Sequence, residues 1–101
     1  MISSDTRLAL IEQAADKVSP VTLAAFVRHL RRSDLDLRQW HRCGDLAASA
    51  GMTHHEARAA VAQLVRTGLM ERDIVARRID RQSDRYTVYR LSPTVMEGAD
   101  Q

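Results

Sequence analysis

The chain is expected to adopt a mainly α fold with a small β-hairpin, and three observations lead there. Apolar residues recur at helical spacing over the first two-thirds of the sequence. A Thr-x-x-Glu capping box, Thr53 to Glu56, follows directly on Gly51. After Gly68 the apolar period changes from about 3.6 residues to about 2, the signature of a helix giving way to strands.

Taken in order, residues 5–18 set Leu8, Ile11, Ala15 and Val18 on one face of a first helix, with Ser4 or Asp5 as its N-cap. Ser19-Pro20 stops that helix and opens a second, because proline fits the first helical position, where its missing N–H had no partner. The second helix runs to about Arg32 and buries Leu23, Phe26, Val27 and Leu30, leaving Arg28, Arg31 and Arg32 on or beside its outer face. The pattern breaks over 33–37, so a loop or a single turn of helix is expected up to Trp40. Residues 45–50 read as a short helix opened by Gly44, with Asp45 complementing the positive end of the helix dipole. Gly51 then supplies the positive φ of a tight turn. The capping box opens a helix from 54 to about 67 that buries Ala57, Val61 and Leu64, and Gly68 ends it. Residues 70–77 and 85–91 are the strands, with the polar segment 79–84 as the turn between them. Pro93 and Gly98 mark a tail, expected to be frayed. The organisation is thus 1–19 as an N-terminal helix, 20–92 as the main domain and 93–101 as a flexible tail.

With 101 residues, 45% of them hydrophobic and only 4% aromatic, the core must be aliphatic and small. Dimerisation commonly supplements such a core, so a homodimer is expected, and the apolar face of the first helix either forms its interface or packs within the chain. The net charge is only +2, but its distribution is uneven. Residues 54–90 hold eight Arg against five acids, whereas 1–53 hold seven basic against six acidic residues. Fourteen of the fifteen cations are Arg, whose planar fork suits phosphate oxygens and guanine edges.

The single Cys43 excludes an intramolecular disulfide framework and reads as a buried structural thiol. No apolar run approaches the roughly 20 residues that span a bilayer, and the first residues do not resemble a signal peptide, so no membrane association and a cytoplasmic location are expected. Catalysis has no support: there is no nucleophile–base pair, carboxylate dyad or phosphate-cradling glycine loop. His41, Cys43, His54 and His55 do not make a zinc framework, so neither metal nor cofactor is expected. Trp40 reads as packing.

The strings Cys43-Gly44-Asp45-Leu46-Ala47, Ala50-Gly51-Met52-Thr53, Ala57-Arg58-Ala59-Ala60-Val61 with Leu64, and Thr67-Gly68-Leu69-Met70-Glu71-Arg72 resemble the winged helix-turn-helix domains of bacterial transcription regulators of the MarR-like and ArsR-like groups. The resemblance covers residues 20–91. Winged helices of phage and plasmid replication or partition proteins look similar over the same span. The resemblance implies that helix 54–67 lies in the major groove of double-stranded DNA and the hairpin tip over the backbone or minor groove. Carried onto this sequence, the DNA-binding residues are Thr53, His54, His55, Arg58 and Arg66 of the helix. The wing contributes Arg77, Arg78, Arg81, Gln82 and Arg85. Two departures stand out. The helix is short of the usual base readers, with Ala59 and Ala62 on its open face and Gln63 at its flank. Asp80 and Asp84 also offset the wing arginines.

The function this implies is that of a dimeric, sequence-specific DNA-binding repressor, Arg58 being the leading base reader. Two other roles use the same features: a scaffold for protein contacts within a larger assembly, and an accessory protein of plasmid or phage replication or partition.

Overall fold

The computed structural model describes residues 3–32, 34, 36–79 and 82–99, with side chains described up to Ala76 and from Arg85 to Met96, apart from those breaks. Five helices and three strands follow one another as α1 (Ser4–Ala15), α2 (Pro20–Leu30), β1 (His41–Arg42), α3 (Cys43–Ala50), α4 (His54–Arg66), β2 (Met70–Ile79), β3 (Gln82–Leu91) and α5 (Pro93–Ala99). The fold is mainly helical, with one antiparallel sheet in the order β1-β3-β2.

Both early helices begin on a serine. The Ser3 hydroxyl accepts from the Thr6 N–H at 3.1 Å, and the Ser19 hydroxyl accepts from the Thr22 N–H. The cap of α1 is therefore Ser3, one residue before the expected start. Its buried side also differs from expectation. Thr6, Leu10 and Ala14 are buried, Ile11 and Val18 pack at the margin, and Leu8 is 56% exposed. The i, i+4 pair Leu10–Ala14 takes the core because α1 lies against both α2 and α5, not against α2 alone. That second neighbour is α5, formed by residues expected to be a frayed tail. Pro93 stands at its first position and Met96 enters the core.

One apolar cluster joins Leu10, Phe26, Leu30, Leu64, Leu91 and Met96, so α1, α2, α4, β3 and α5 share it. A second, smaller cluster of Leu46, Ala47, Ala57, Ala60 and Val61 holds α3 against α4, and Val65 and Tyr89 pack on both. The alanines let the two helix backbones approach closely. Leu37 plugs the first cluster from the segment between α2 and β1, and its carbonyl accepts from the Leu91 N–H at 3.0 Å. On α2, Leu23 and Val27 are only half-buried, and His29 takes a core position beside Phe26 and Leu30.

The hairpin extends further than the sequence implies. β2 and β3 pair from Met70↔Leu91 out to Ile79↔Gln82, so the segment read as a six-residue turn belongs largely to the strands. The third strand, β1, pairs His41↔Tyr89 and Arg42↔Val88 on the other edge of β3. α3 starts two residues before the expected helix, at Cys43, and its N-cap is Arg42, which makes no side-chain cap bond. Gly44 therefore lies inside the first turn instead of capping it.

Candidate functional site

Helix α4 is locked at both ends. The Thr53 hydroxyl accepts from the Glu56 N–H at 3.2 Å, and the Glu56 carboxylate accepts from the Thr53 N–H at 3.0 Å. The Thr53 backbone N–H also holds the Glu56 carboxyl below its ordinary range. At the far end Gly68 adopts φ 82°, and the Leu69 N–H reaches back to the Leu64 carbonyl at 3.0 Å. The same device ends α3: Gly51 sits at φ 64° and the Met52 N–H bonds the Ala47 carbonyl. α3, its glycine turn and α4 thus form a rigid unit.

With Ala57, Ala60, Val61 and Leu64 turned inward, α4 exposes His54, His55, Arg58, Ala59, Ala62 and Arg66. The Gln63 side-chain oxygen accepts from the Ser19 N–H at 2.9 Å and ties α4 to the start of α2. Thr53 spends one hydroxyl lone pair on the cap.

Arg58 does not stand alone on the open face. It lines a groove of about 430 Å³ between α3, α4 and β3, shared with Arg42, His54, Thr87 and Tyr89 over a floor at Cys43 and Gly44. It also lines a second hollow of about 230 Å³, with Ala62, Arg66, Arg72 and Tyr89. Arg58 and Arg72 therefore flank Tyr89 on the side of α4 that faces the sheet. Burial pushes the Tyr89 phenol up, and the two guanidinium groups pull against it. Burial likewise raises the Cys43 thiol, opposed by Arg58, which fits a structural thiol better than a reactive one.

The arginines divide by their partners. Arg90 pairs with Glu71 and lies over the Trp40 ring, 4.4 Å from its centroid. Arg32 binds the Asp34 carboxylate and lowers its pKa to about 2. Arg28 donates to the Ala50 carbonyl at the end of α3 at 3.0 Å. These are structural engagements. Among the described residues Arg42, Arg58, Arg66, Arg72 and Arg85 have no carboxylate within ion-pair reach, and neither do Arg7, Arg31 and Arg38 away from α4 and the hairpin. The Arg42 guanidinium lies over the Tyr86 ring, 4.0 Å from its centroid.

Of the expected DNA-binding residues, the structure brings Thr53, His54, His55, Arg58 and Arg66 together on α4. It sets the exposed Arg85 on β3, opposite Ala76. Arg77, Arg78 and Gln82 occupy strand positions, but their side chains, and the whole of Arg81, lie outside the described residues. Arg42, Arg72 and Tyr89 were missed. Arg72 was visible as the strand residue two after Met70, hence on the helix-facing side; Arg42 had no such signal, because a two-residue strand shows no alternation. His41 donates from Nε2 to the Asp36 carbonyl and lies 3.5 Å from Asp45 through Nδ1. Among the described residues no group of three His, Cys, Asp or Glu is placed to hold a metal ion, and no helix is long and apolar enough to cross a membrane.

At the level the geometry defines, this is a small, mainly helical domain that presents a capped helix and a long hairpin on either side of an arginine-lined groove. Comparison with protein-family models, with curated proteins and with solved structures returns no match.

Proposed function

We propose that the protein is a winged helix-turn-helix DNA-binding regulator, with α4 in the major groove of double-stranded DNA and the β2–β3 hairpin as the wing on the backbone or minor groove. The observation that carries this reading is a placement: among the described residues Arg58, Arg66, Arg72 and Arg85 are exposed, with no carboxylate partner, on the open side of α4 and on the adjoining hairpin. A helix joined to its predecessor by a tight glycine turn and exposing one face suits insertion into the groove. The shortage of hydrogen-bonding readers on that face assigns most affinity to phosphate contacts, with Arg58 and His55 left to read base edges and Ala59 and Ala62 small enough to meet a thymine methyl. The biological role that suits such a module is a repressor acting as a dimer on a palindromic operator.

The test is a titration against a random-sequence duplex at two salt concentrations. With Arg66, Arg72 and Arg85 on phosphates, three arginine–phosphate contacts weaken binding about 40-fold between about 50 and 200 mM salt. Absence of binding at the lower salt refutes the proposal and favours a protein-contact scaffold. Selection from a random duplex pool then separates the roles: a palindrome supports the dimeric repressor, and direct repeats support a replication or partition protein.

A further inference from the structure

The smaller hollow, on the sheet side of α4, is ringed by arginines from two elements. Arg58, Ala62 and Arg66 follow one another at four-residue spacing down one line of the helix, and Arg72 joins them from β2. Ala62, between the two helical arginines, leaves the space open. Tyr89 stands directly opposite Arg72 across the β2–β3 ladder, so the two side chains share a face, with Cβ atoms about 5 Å apart. The Tyr89 ring packs against both apolar clusters, while its phenol lies within the fields of Arg72 and Arg58 and bonds with the Thr87 side chain. Among the described residues no carboxylate lines the hollow. Its polar lining is therefore guanidinium groups, which only donate, and the Tyr89 hydroxyl, and its complement is an anion that accepts several hydrogen bonds. At about 230 Å³ the hollow is smaller than the roughly 300–1,000 Å³ of sites that enclose a whole small molecule, and it suits one group projecting from a larger partner.

We propose that this hollow seats one phosphate of the DNA backbone, held jointly by Arg72 and the Tyr89 hydroxyl, which makes Tyr89 a DNA-contacting residue. The assignment rests on the proposed function and deepens it, by placing an anchoring phosphate at the seam between α4 and the hairpin. Arg66, at the far edge, takes a neighbouring phosphate, and Arg58 stays with the base edges. The guanidinium supplies charge and the phenol a neutral donor to the same anion, a charge-assisted bond on its oxygen. Because the ring is packed into the fold, the hydroxyl is held in place before DNA arrives, and little side-chain freedom is lost on binding.

The test is a double-mutant cycle on the full chain, read by fluorescence anisotropy with a labelled random-sequence duplex at several salt concentrations. Tyr89→Phe keeps the packed ring and deletes the hydroxyl alone, so the melting temperature should change little. It should weaken DNA binding about fivefold with the salt slope unchanged, because a neutral donor displaces no counterion. Arg72→Gln should weaken binding further and lower the slope by about 0.9. Added to Arg72→Gln, Tyr89→Phe should cost less than about twofold, since the shared phosphate is already loosened. Added to Arg85→Gln, about 13 Å away along β3, it should keep its full effect. Equal affinity of Tyr89→Phe and the parent overturns the contact, as does an undiminished fivefold loss in the Arg72→Gln background. A salt slope lowered by Tyr89→Phe makes the hydroxyl a support for a guanidinium and overturns the contact too. If the parent binds DNA and only the cycle fails, the proposed function stands without this phosphate seat; if the parent binds no duplex at about 50 mM salt, both fall.

Discussion

Two clusters of polar side chains, at opposite ends of α3, are built on contrary rules. At the α2–α3 joint the polar side chains bond one another and the α3 backbone. The Ser49 hydroxyl donates to the Asp45 carbonyl at 2.8 Å, so the bonds from Arg32 Nη1 and from His29 Nδ1 must both be donated to it. That fixes His29 as the neutral tautomer protonated on Nδ1. Between the start of α3, α4 and β3, Arg58 lines a groove to which no carboxylate contributes, while Arg42 at its edge lies over the Tyr86 ring. A satisfied network specifies how helices sit, whereas unpaired cations held on rigid elements remain available to a partner. The contrast separates polar residues whose partners lie within the fold from those the proposed function assigns to recognition.

The largest effect comes from breaking the satisfied side with acid. His29 is 3% exposed, and burial first, then the nearby His41 and Arg32, lowers its pKa from 6.5 to about 4. The folded state therefore resists a proton that the unfolded chain accepts. The stability this confers is complete above pH 6.5 and is lost as pH falls towards 4, by up to about 3 kcal/mol. His29→Gln keeps a donor for Ser49 but does not titrate, so its urea-unfolding free energy should fall less between neutral pH and pH 4. Parallel pH profiles for the two proteins would show that His29 is not the group responsible.

How much of this was legible in the sequence follows from the range of the forces involved. Local rules located what local chemistry decides: the Thr53–Glu56 box, the positive φ of Gly51 and Gly68, the serine cap before Pro20 and the change of period into the hairpin. Where long-range partners decide, the reading slipped. Leu8 and Leu10 are both apolar and near-adjacent, and only the docking of α5 selects Leu10 for the core. Pro93 reads equally as a stop signal and as the first residue of a helix, and Met96 settles it only once there is a core to enter. His29 stood within a helix whose apolar stripe was drawn through Val27, because nothing local announces that Ser49, twenty residues later, will satisfy an imidazole. In the candidate site Arg58 and His54 were found through motif position. Arg42, Arg72 and Tyr89 depend on strand register and required the fold.

A smaller effect tests the turn that joins the two regions. Gly51 has open space around its Cα but sits at φ 64°, so Gly51→Ala meets no clash and still incurs the left-handed strain, about 1–2 kcal/mol. Thr53→Ala removes the side-chain half of the capping box and should cost about 1 kcal/mol. Both are read by chemical denaturation. A Gly51→Ala protein as stable as the original would mean that the turn relaxes, and that α3 and α4 are less rigidly joined than their shared helix-ending motif implies.

The smallest expected effect is the most discriminating. If the groove arginines are held for a partner and not for the fold, Arg58→Ala and Arg72→Ala should each change the unfolding free energy by no more than about 0.5 kcal/mol. Among the described residues neither has a carboxylate partner to strand, and both side chains are exposed. Relief of mutual repulsion could even favour the variants slightly at low salt, an effect that added salt should erase. Glu71→Gln is the matched control, since it strips the counter-ion from Arg90, whose guanidinium lies over the Trp40 ring. Loss of stability on removing Arg58 or Arg72 comparable to that of the control would place them among the structural arginines. The distinction between the two sides of α3 would then fail at the residues on which the proposed recognition depends.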